Sequence, residues 1–140
     1  MGIFSGKRPS QLGYSSQKFA PPSWKPNVVS STVEKSDKHY IDPLLFTGPA
    51  AAAWKELRAI VVSSNGARII TDGETYLYAE FWSGLFGFVD DVEFAIDEGA
   101  NVIHARSGSR LGIDDFGVNR KRIEHIRQQL FSRLQTQDEI

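Results

Sequence analysis

The chain has no cysteine, one methionine and three histidines in 140 residues. The first absence excludes a disulfide scaffold, a Cys-ligated zinc site, an iron–sulfur cluster and thiol catalysis. The histidines, His39, His104 and His125, fall on separate predicted elements with no HxxxH or HxH spacing, so no histidine metal site is expected and no cofactor is assigned. Long apolar runs are also missing. The longest, Pro49 to Ser63, is interrupted by Lys55, Glu56 and Arg58 well short of a membrane-spanning length. No secretory h-region follows the start: Ile3 and Phe4 give way at once to Lys7, Arg8 and Pro9. The opening Met1-Gly2-Ile3-Phe4-Ser5-Gly6 departs from a myristoylation signal, since Gly6 stands where Ser or Thr belongs. The expectation is a cytoplasmic, soluble protein. Sixteen basic and seventeen acidic residues give a net charge of −1, which offers no general attraction for nucleic acid.

What is present describes an ordinary globule: 41% hydrophobic and 24% charged residues. The length fits one domain, and area scaling lets a chain of this mass bury about two-thirds of its surface. Residues 1–38 stand apart. They hold four of the six prolines and eight serines, without helical or alternating pattern. Leu12, Tyr14, Phe19, Trp24, Val28 and Val29 are nevertheless spread through them, which suits an extended arm lying on the domain better than a solvated tail. The domain proper is placed at 39–134 and a short tail at 135–140.

Periodicity supplies the elements. His39 to Phe46 reads as a first strand, at an edge because of Pro43. Thr47 is a candidate N-cap, and Ala50, Ala53, Trp54, Leu57, Ile60 and Val61 recur at helical spacing over roughly 49–64, ended by Asn65-Gly66. Ala67 to Asp72 is a strand leading to a turn at Asp72-Gly73. Thr75 to about Ser83 alternates, with Leu77, Ala79 and Phe81 opposite Tyr76, Tyr78, Glu80 and Trp82, so this strand is expected to be covered on both sides. Val89 to Asp97 and Asn101 to about Arg110 complete an antiparallel meander. The glycine-loosened aromatic stretch Trp82 to Phe88 is a hairpin loop, pocket wall or docking surface. Ile123, Ile126, Leu130 and Leu134 mark a last helix over roughly 117–134, preceded by Asp114 and Asp115 as capping carboxylates. The order β-α-β-β-β-β-α, with a long C-terminal helix on an antiparallel sheet, predicts a two-layer α+β domain.

The densest chemistry runs from Arg106 to Arg122. Arg106 and Arg110 share one strand face about 13 Å apart at the usual rise per residue. Arginines beside a helix start are ingredients of an anion site. They can equally face Glu80, Asp90, Asp91 and Glu93 on neighbouring strands as a structural network. Glu80 among Tyr76, Tyr78 and Trp82 is the carboxylate whose pKa an aromatic face could raise into general acid–base range. The candidate binding set is therefore Arg106, Arg110, Asn119, Arg120, Glu80, Asp91, Tyr76, Tyr78 and Trp82. No catalytic residue is assigned.

Charge is segregated along the chain. Residues 1–38 and 104–133 are each net +4, and residues 39–103 are net −7. Internal pairing of these blocks accounts for much of that. The leading reading is a non-enzymatic binding or scaffold domain for a protein partner or a small anionic-amphipathic ligand. The alternative is an enzyme using Glu80 or Asp91 as general acid or base on a substrate oriented by the arginines. Specific nucleic-acid binding through Arg120-Lys121-Arg122 is not expected, because acids interleave the aromatic face.

Several segments resemble one family. Arg106-Ser-Gly-Ser-Arg-Leu-Gly112, with the following Asp115-Phe-Gly-Val-Asn-Arg-Lys-Arg-Ile-Glu-His-Ile-Arg127, is similar to the signature of domain of unknown function 1499. Phe88-Val-Asp-Asp-Val-Glu-Phe94, Phe4-Ser-Gly-Lys-Arg-Pro9, Leu12-Gly13, Ala20-Pro21 and Pro26-Asn27-Val-Val-Ser-Ser31 fit it too. The resemblance implies that the N-terminal arm is part of the domain, and it carries no established activity. Relatives commonly place cysteines near the Ala-Pro and Pro-Asn stretches, where this chain has Pro22 and Val28. The strand order is also similar to the TATA-binding-protein-like arrangement shared by Bet v 1-like pocket proteins, an analogy of fold that transfers no function.

Overall fold

The computed structural model describes residues 5–83 and 87–138. Residues 1–4 of the myristoylation-like start and the centre of the Trp82–Phe88 stretch lie outside those residues. Eight strands and two helices follow in chain order: β1 (Tyr14–Ser15), β2 (Lys18–Phe19), β3 (Val28–Ser30), β4 (Leu44–Leu45), α1 (Ala50–Ser63), β5 (Ala67–Asp72), β6 (Tyr76–Ser83), β7 (Phe88–Asp97), β8 (Val102–Ser109) and α2 (Val118–Asp138). The main sheet is antiparallel in the order β3-β8-β7-β6-β5, with β4 pairing the far end of β8. This is the α+β architecture expected from the hydrophobic pattern, with the C-terminal helix on the sheet.

The period of two sorts the side chains. Leu77, Ala79 and Phe81 of β6, Val92 and Phe94 of β7, and Ile103 and Ala105 of β8 all point to one face and enter the core. Leu57, Ile60 and Val61 of α1 and Ile123, Ile126 and Leu130 of α2 meet them there. The opposite face carries Tyr76, Tyr78, Glu80, Asp91, Glu93, Arg106 and Arg110. Most of these are buried too, because the N-terminal arm lies across them.

Several expectations are corrected. The first strand shrinks from 39–46 to Leu44–Leu45, since Pro43 interrupts the ladder and the Asp37 carboxylate holds a turn there by accepting the His39 N–H. Thr47 is not the N-cap; Gly48 turns the chain at φ +80° and Pro49 takes the cap position without a side-chain bond. Trp24 is no anchor, being 67% exposed, whereas Phe19, Val28 and Val29 are buried. The arm also supplies a sheet strand that the pattern does not reveal. β3 pairs with β8, Val28 opposite Gly108, and a Cβ at Gly108 would stand 2.9 Å from the Val28 side chain. A glycine is therefore what lets β3 close on β8. At the other edge, a Cβ at Gly66 would meet the Trp82 carbonyl at 2.3 Å.

Ile126 is 2% exposed at the centre of the α2 contact. Ile126→Ala is expected to cost about 2–5 kcal/mol, the usual range for emptying such a site. Urea melts measure it, and a loss below about 1 kcal/mol would contradict the packing described.

Candidate functional site

The sheet face beneath the arm holds three carboxylates on two strands. Glu80 projects from β6 and Asp91 and Glu93 from β7; all are buried. The register sets Glu80 beside Asp91 and Tyr78 beside Glu93. Such like charges require cations, which arrive from β8 and from the arm.

Arg110 serves two of the acids. Its side chain is 3% exposed and bonds Glu80, Asp91 and the Tyr78 hydroxyl. Nε donates to Asp91 Oδ2 at 2.9 Å and Nη2 to Oδ1 at 2.8 Å, a bidentate fork. Tyr78 donates its own proton to Asp91 at 2.5 Å. Arg8, from the arm, adds a 2.8 Å bond to Glu80. The hydrogen bond from Arg8, with the charge and bond of Arg110, holds the Glu80 carboxyl below its usual range despite burial. The aromatic surroundings were expected to push it the other way, and the cations win. Burial and the bonds to Asp91 push the Tyr78 hydroxyl up, and burial with the bond to Glu93 does the same for Tyr76.

Glu93 is served less well. Oε1 accepts the Gly13 N–H at 2.8 Å and the Tyr76 hydroxyl at 2.5 Å. Oε2 is buried without a hydrogen bond among the described residues, and its nearest cation is Arg106 Nη1 at 3.7 Å. Burial raises the Glu93 carboxyl above its usual range, opposed by the Tyr76 bond and the Arg106 charge. Among the described residues Arg106 in turn makes one hydrogen bond, from Nε to the Ala20 carbonyl at 3.2 Å. Arg106 also lines a cavity of about 220 Å³ between arm and sheet, walled by Leu12, Pro21, Val28, Gly108 and Asp91. A wider depression of about 310 Å³ on the outer side of α2 is lined by that helix alone.

The expected site residues thus divide. Tyr76, Tyr78, Glu80, Asp91, Arg106 and Arg110 share the arm-covered face. Asn119 and Arg120 do not. Asn119, fully buried, accepts bonds from Ser107 and Arg122 and donates to the Asn27 carbonyl, Ser109 and Asp115, tying the start of α2 to β8 and the arm. Arg120 donates to the Tyr40 carbonyl at 2.9 Å. Trp82 is half-buried at the end of β6. Asp90, grouped with Asp91 by adjacency, points to the helix face and pairs with Arg122 at 2.7 Å. Two members carry no local signal of their part in the cluster: by sequence Glu93 is one more counter-ion and Arg8 one more charge of a basic arm. One further pair sits nearby. The Ser31 hydroxyl accepts the Ala105 N–H and lies 2.9 Å from His104 Nδ1, with Tyr14 stacked on that imidazole. Among the described residues, no group of three His, Asp or Glu side chains could hold a metal ion, and no helix is long and apolar enough to cross a membrane.

Arg110→Met would strand two buried carboxylates, and it is expected to cost about 3–5 kcal/mol in denaturant melts. The pH dependence separates Glu80 from Glu93. Glu80 ionises more readily folded than unfolded, so its contribution is present above the ordinary carboxylate range and is lost as pH falls through its folded value. Glu93 protonates more readily folded, so its contribution is present at low pH and is lost as pH rises through its folded value. Glu93→Gln should therefore gain stability relative to the parent as pH rises from about 4 to 7. A difference in melts that stays constant across that window would count against a strained Glu93 carboxylate.

The comparisons bear on lineage. No curated protein and no solved structure matches the chain. A family model described as "Protein of unknown function (DUF1499)" matches residues 18–130, a span running from β2 into the second half of α2. With most of its length in that match, the chain belongs to the DUF1499 family.

Proposed function

We propose that the domain is a non-enzymatic binding module that holds a small anionic-amphipathic ligand between the N-terminal arm and the sheet, with Arg106 as its anion-holding group. The observation that carries this reading is the unequal use of the two arginines. A guanidinium has five N–H donors. Arg110 places its donors on Asp91, Glu80 and Tyr78. Arg106 spends one on Ala20, sits 3.7 Å from Glu93, and borders the cavity. Leu12, Pro21 and Val28 give that cavity apolar walls, so a charged head and a short apolar tail are both accommodated. At about 220 Å³ it is smaller than the roughly 300–1,000 Å³ typical of drug-sized ligands, which favours a compact one.

Acid–base chemistry by Glu80 or Asp91 finds less support. A general acid or base works best with a pKa near the operating pH. Glu80 is pulled the opposite way by Arg8 and Arg110, and Asp91 is held in the Arg110 fork. Arg110, Glu80, Asp91, Tyr76 and Tyr78 are read as the frame that fixes the floor of the site, while Asn119 fixes the end of β8 from the other side.

Octanoate is a suitable probe, with hexanol as its uncharged counterpart and inorganic phosphate as an anion without a tail. Calorimetry should detect octanoate and not the other two. Arg106→Gln should weaken octanoate binding by roughly tenfold or more, as expected for losing a charge-assisted contact. Equal binding by the variant, or none by the parent protein to octanoate or octyl phosphate, would remove the basis for this proposal.

A further inference from the structure

One end of the sheet collects exposed apolar side chains. Between β8 and α2, Leu111 is 40% exposed, Ile113 56%, Phe116 86% and Val118 45%. Phe88, at the start of β7, is 41% exposed. The β7–β8 register runs from Asp97 opposite Val102 to Asp90 opposite Ser109, and the Arg110 N–H bonds the Val89 carbonyl. Carried one step further, it sets Phe88 across from Leu111, so the strand contributes to the same end as the loop. Isolated exposed apolar residues are ordinary, but five gathered at one end of the sheet point to a contact surface.

The loop is held in a shape that projects its tip. Phe116 has φ +53°, a conformation bulky residues rarely adopt. Its N–H bonds Asp114 at 2.9 Å, and Asp115 accepts the N–H groups of Gly117 and Asn119. Both loop carboxylates are thereby engaged with the backbone. Three basic side chains flank the two tip carboxylates. Arg120 and Lys121 are exposed on the first turns of α2, and neither meets a carboxylate among the described residues. Lys7 is exposed next to Gly6, which packs against Leu111.

We propose that this end of the domain docks on an anionic lipid surface, Ile113 and Phe116 entering the interface while Lys7, Arg120 and Lys121 meet the headgroups. A projecting aromatic and aliphatic tip flanked by lysine and arginine is the pattern of reversible interfacial attachment. The charge complementarity selects a lipid surface of negative sign over a neutral one. The reading is independent of the Arg106 cavity.

Co-sedimentation with phosphatidylcholine vesicles, with and without 30% phosphatidylserine, tests it. The parent protein should bind the serine-containing vesicles, bind plain ones at least about tenfold less, and release in 0.5 M salt as screening shortens the reach of the charges. The double variant Ile113→Ser/Phe116→Ser should lose binding while melting like the parent, because both positions are exposed. Phe116→Trp should show a blue-shifted emission on adding the anionic vesicles. Absence of parent binding, or binding that the double variant retains, overturns the proposal. So does a concentration-dependent dimer that the double variant abolishes, which would assign the same face to a second copy of the chain.

Discussion

The Arg110 guanidinium, 3% exposed, lies against two carboxylates and a phenol inside the protein. Leaving a charged group unpaired in such a place costs several kcal/mol, so each partner obliges the next. Glu80 and Asp91 stand side by side on adjacent strands, two like charges whose repulsion a cation between them offsets. Arg110 provides it from the third strand, in a geometry that fixes β8 against β7 and β6 beyond what the ladder does. Once that ion cluster is buried it must also be roofed. The roof is the arm, whose Arg8 completes Glu80 and whose Gly13 N–H completes Glu93.

β8 is where this face meets the other one. Its odd positions, Ile103, Ala105 and Ser107, turn to the helices, and its even positions, His104 and Arg106, turn to the arm. At its C-terminal end Asn119 takes up Ser107, Ser109 and the Asn27 carbonyl, so the helix start, the strand and the arm are joined through one fully buried amide. Arg122, stacked over Phe81 and paired with Asp90, adds a cation on the same side. Charged groups from one short stretch of sequence thus stabilise both faces of the sheet. The contiguous run Arg106 to Arg122 reads as a single feature in sequence and is two features in space.

Alternation made much of this legible. It placed Tyr76, Tyr78 and Glu80 on one face of β6, and Arg106 with Arg110 on one face of β8, because a strand repeats every two residues whatever its neighbours do. The helical stripes of α1 and α2 were legible for the same local reason. Three things were not. β3 is three residues within a proline- and serine-rich stretch, and its pairing with β8 spans most of the chain. Nor did local signals show the β1–β2 hairpin, whose turn residues Ser16 and Gln17 both adopt positive φ without the usual glycine or asparagine. The sign of the Glu80 shift was equally out of reach, because it depends on Arg8, a residue 72 positions away.

Why a charged interior should sit here, where packed aliphatic side chains could often serve as well, follows from what the arm is. Phe19, Val28, Val29 and the β3–β8 ladder hold its later part, but hydrophobic burial is non-directional and would not by itself fix the path of the stretch before β3 over the sheet. Hydrogen bonds are directional. Arg8 to Glu80, Gly13 to Glu93 and Arg106 to Ala20 fix the arm at three points along its path over the sheet. The fit is uneven: Glu80 Oε2 accepts from Arg8, Arg110 and Tyr78, whereas Glu93 Oε2 has no hydrogen bond among the described residues and lies 3.7 Å from Arg106. An interior arranged only for stability would be expected to close that gap, as it does around Arg110. Arg106, the arginine at that gap, also lines the cavity between arm and sheet, where the proposed ligand would sit.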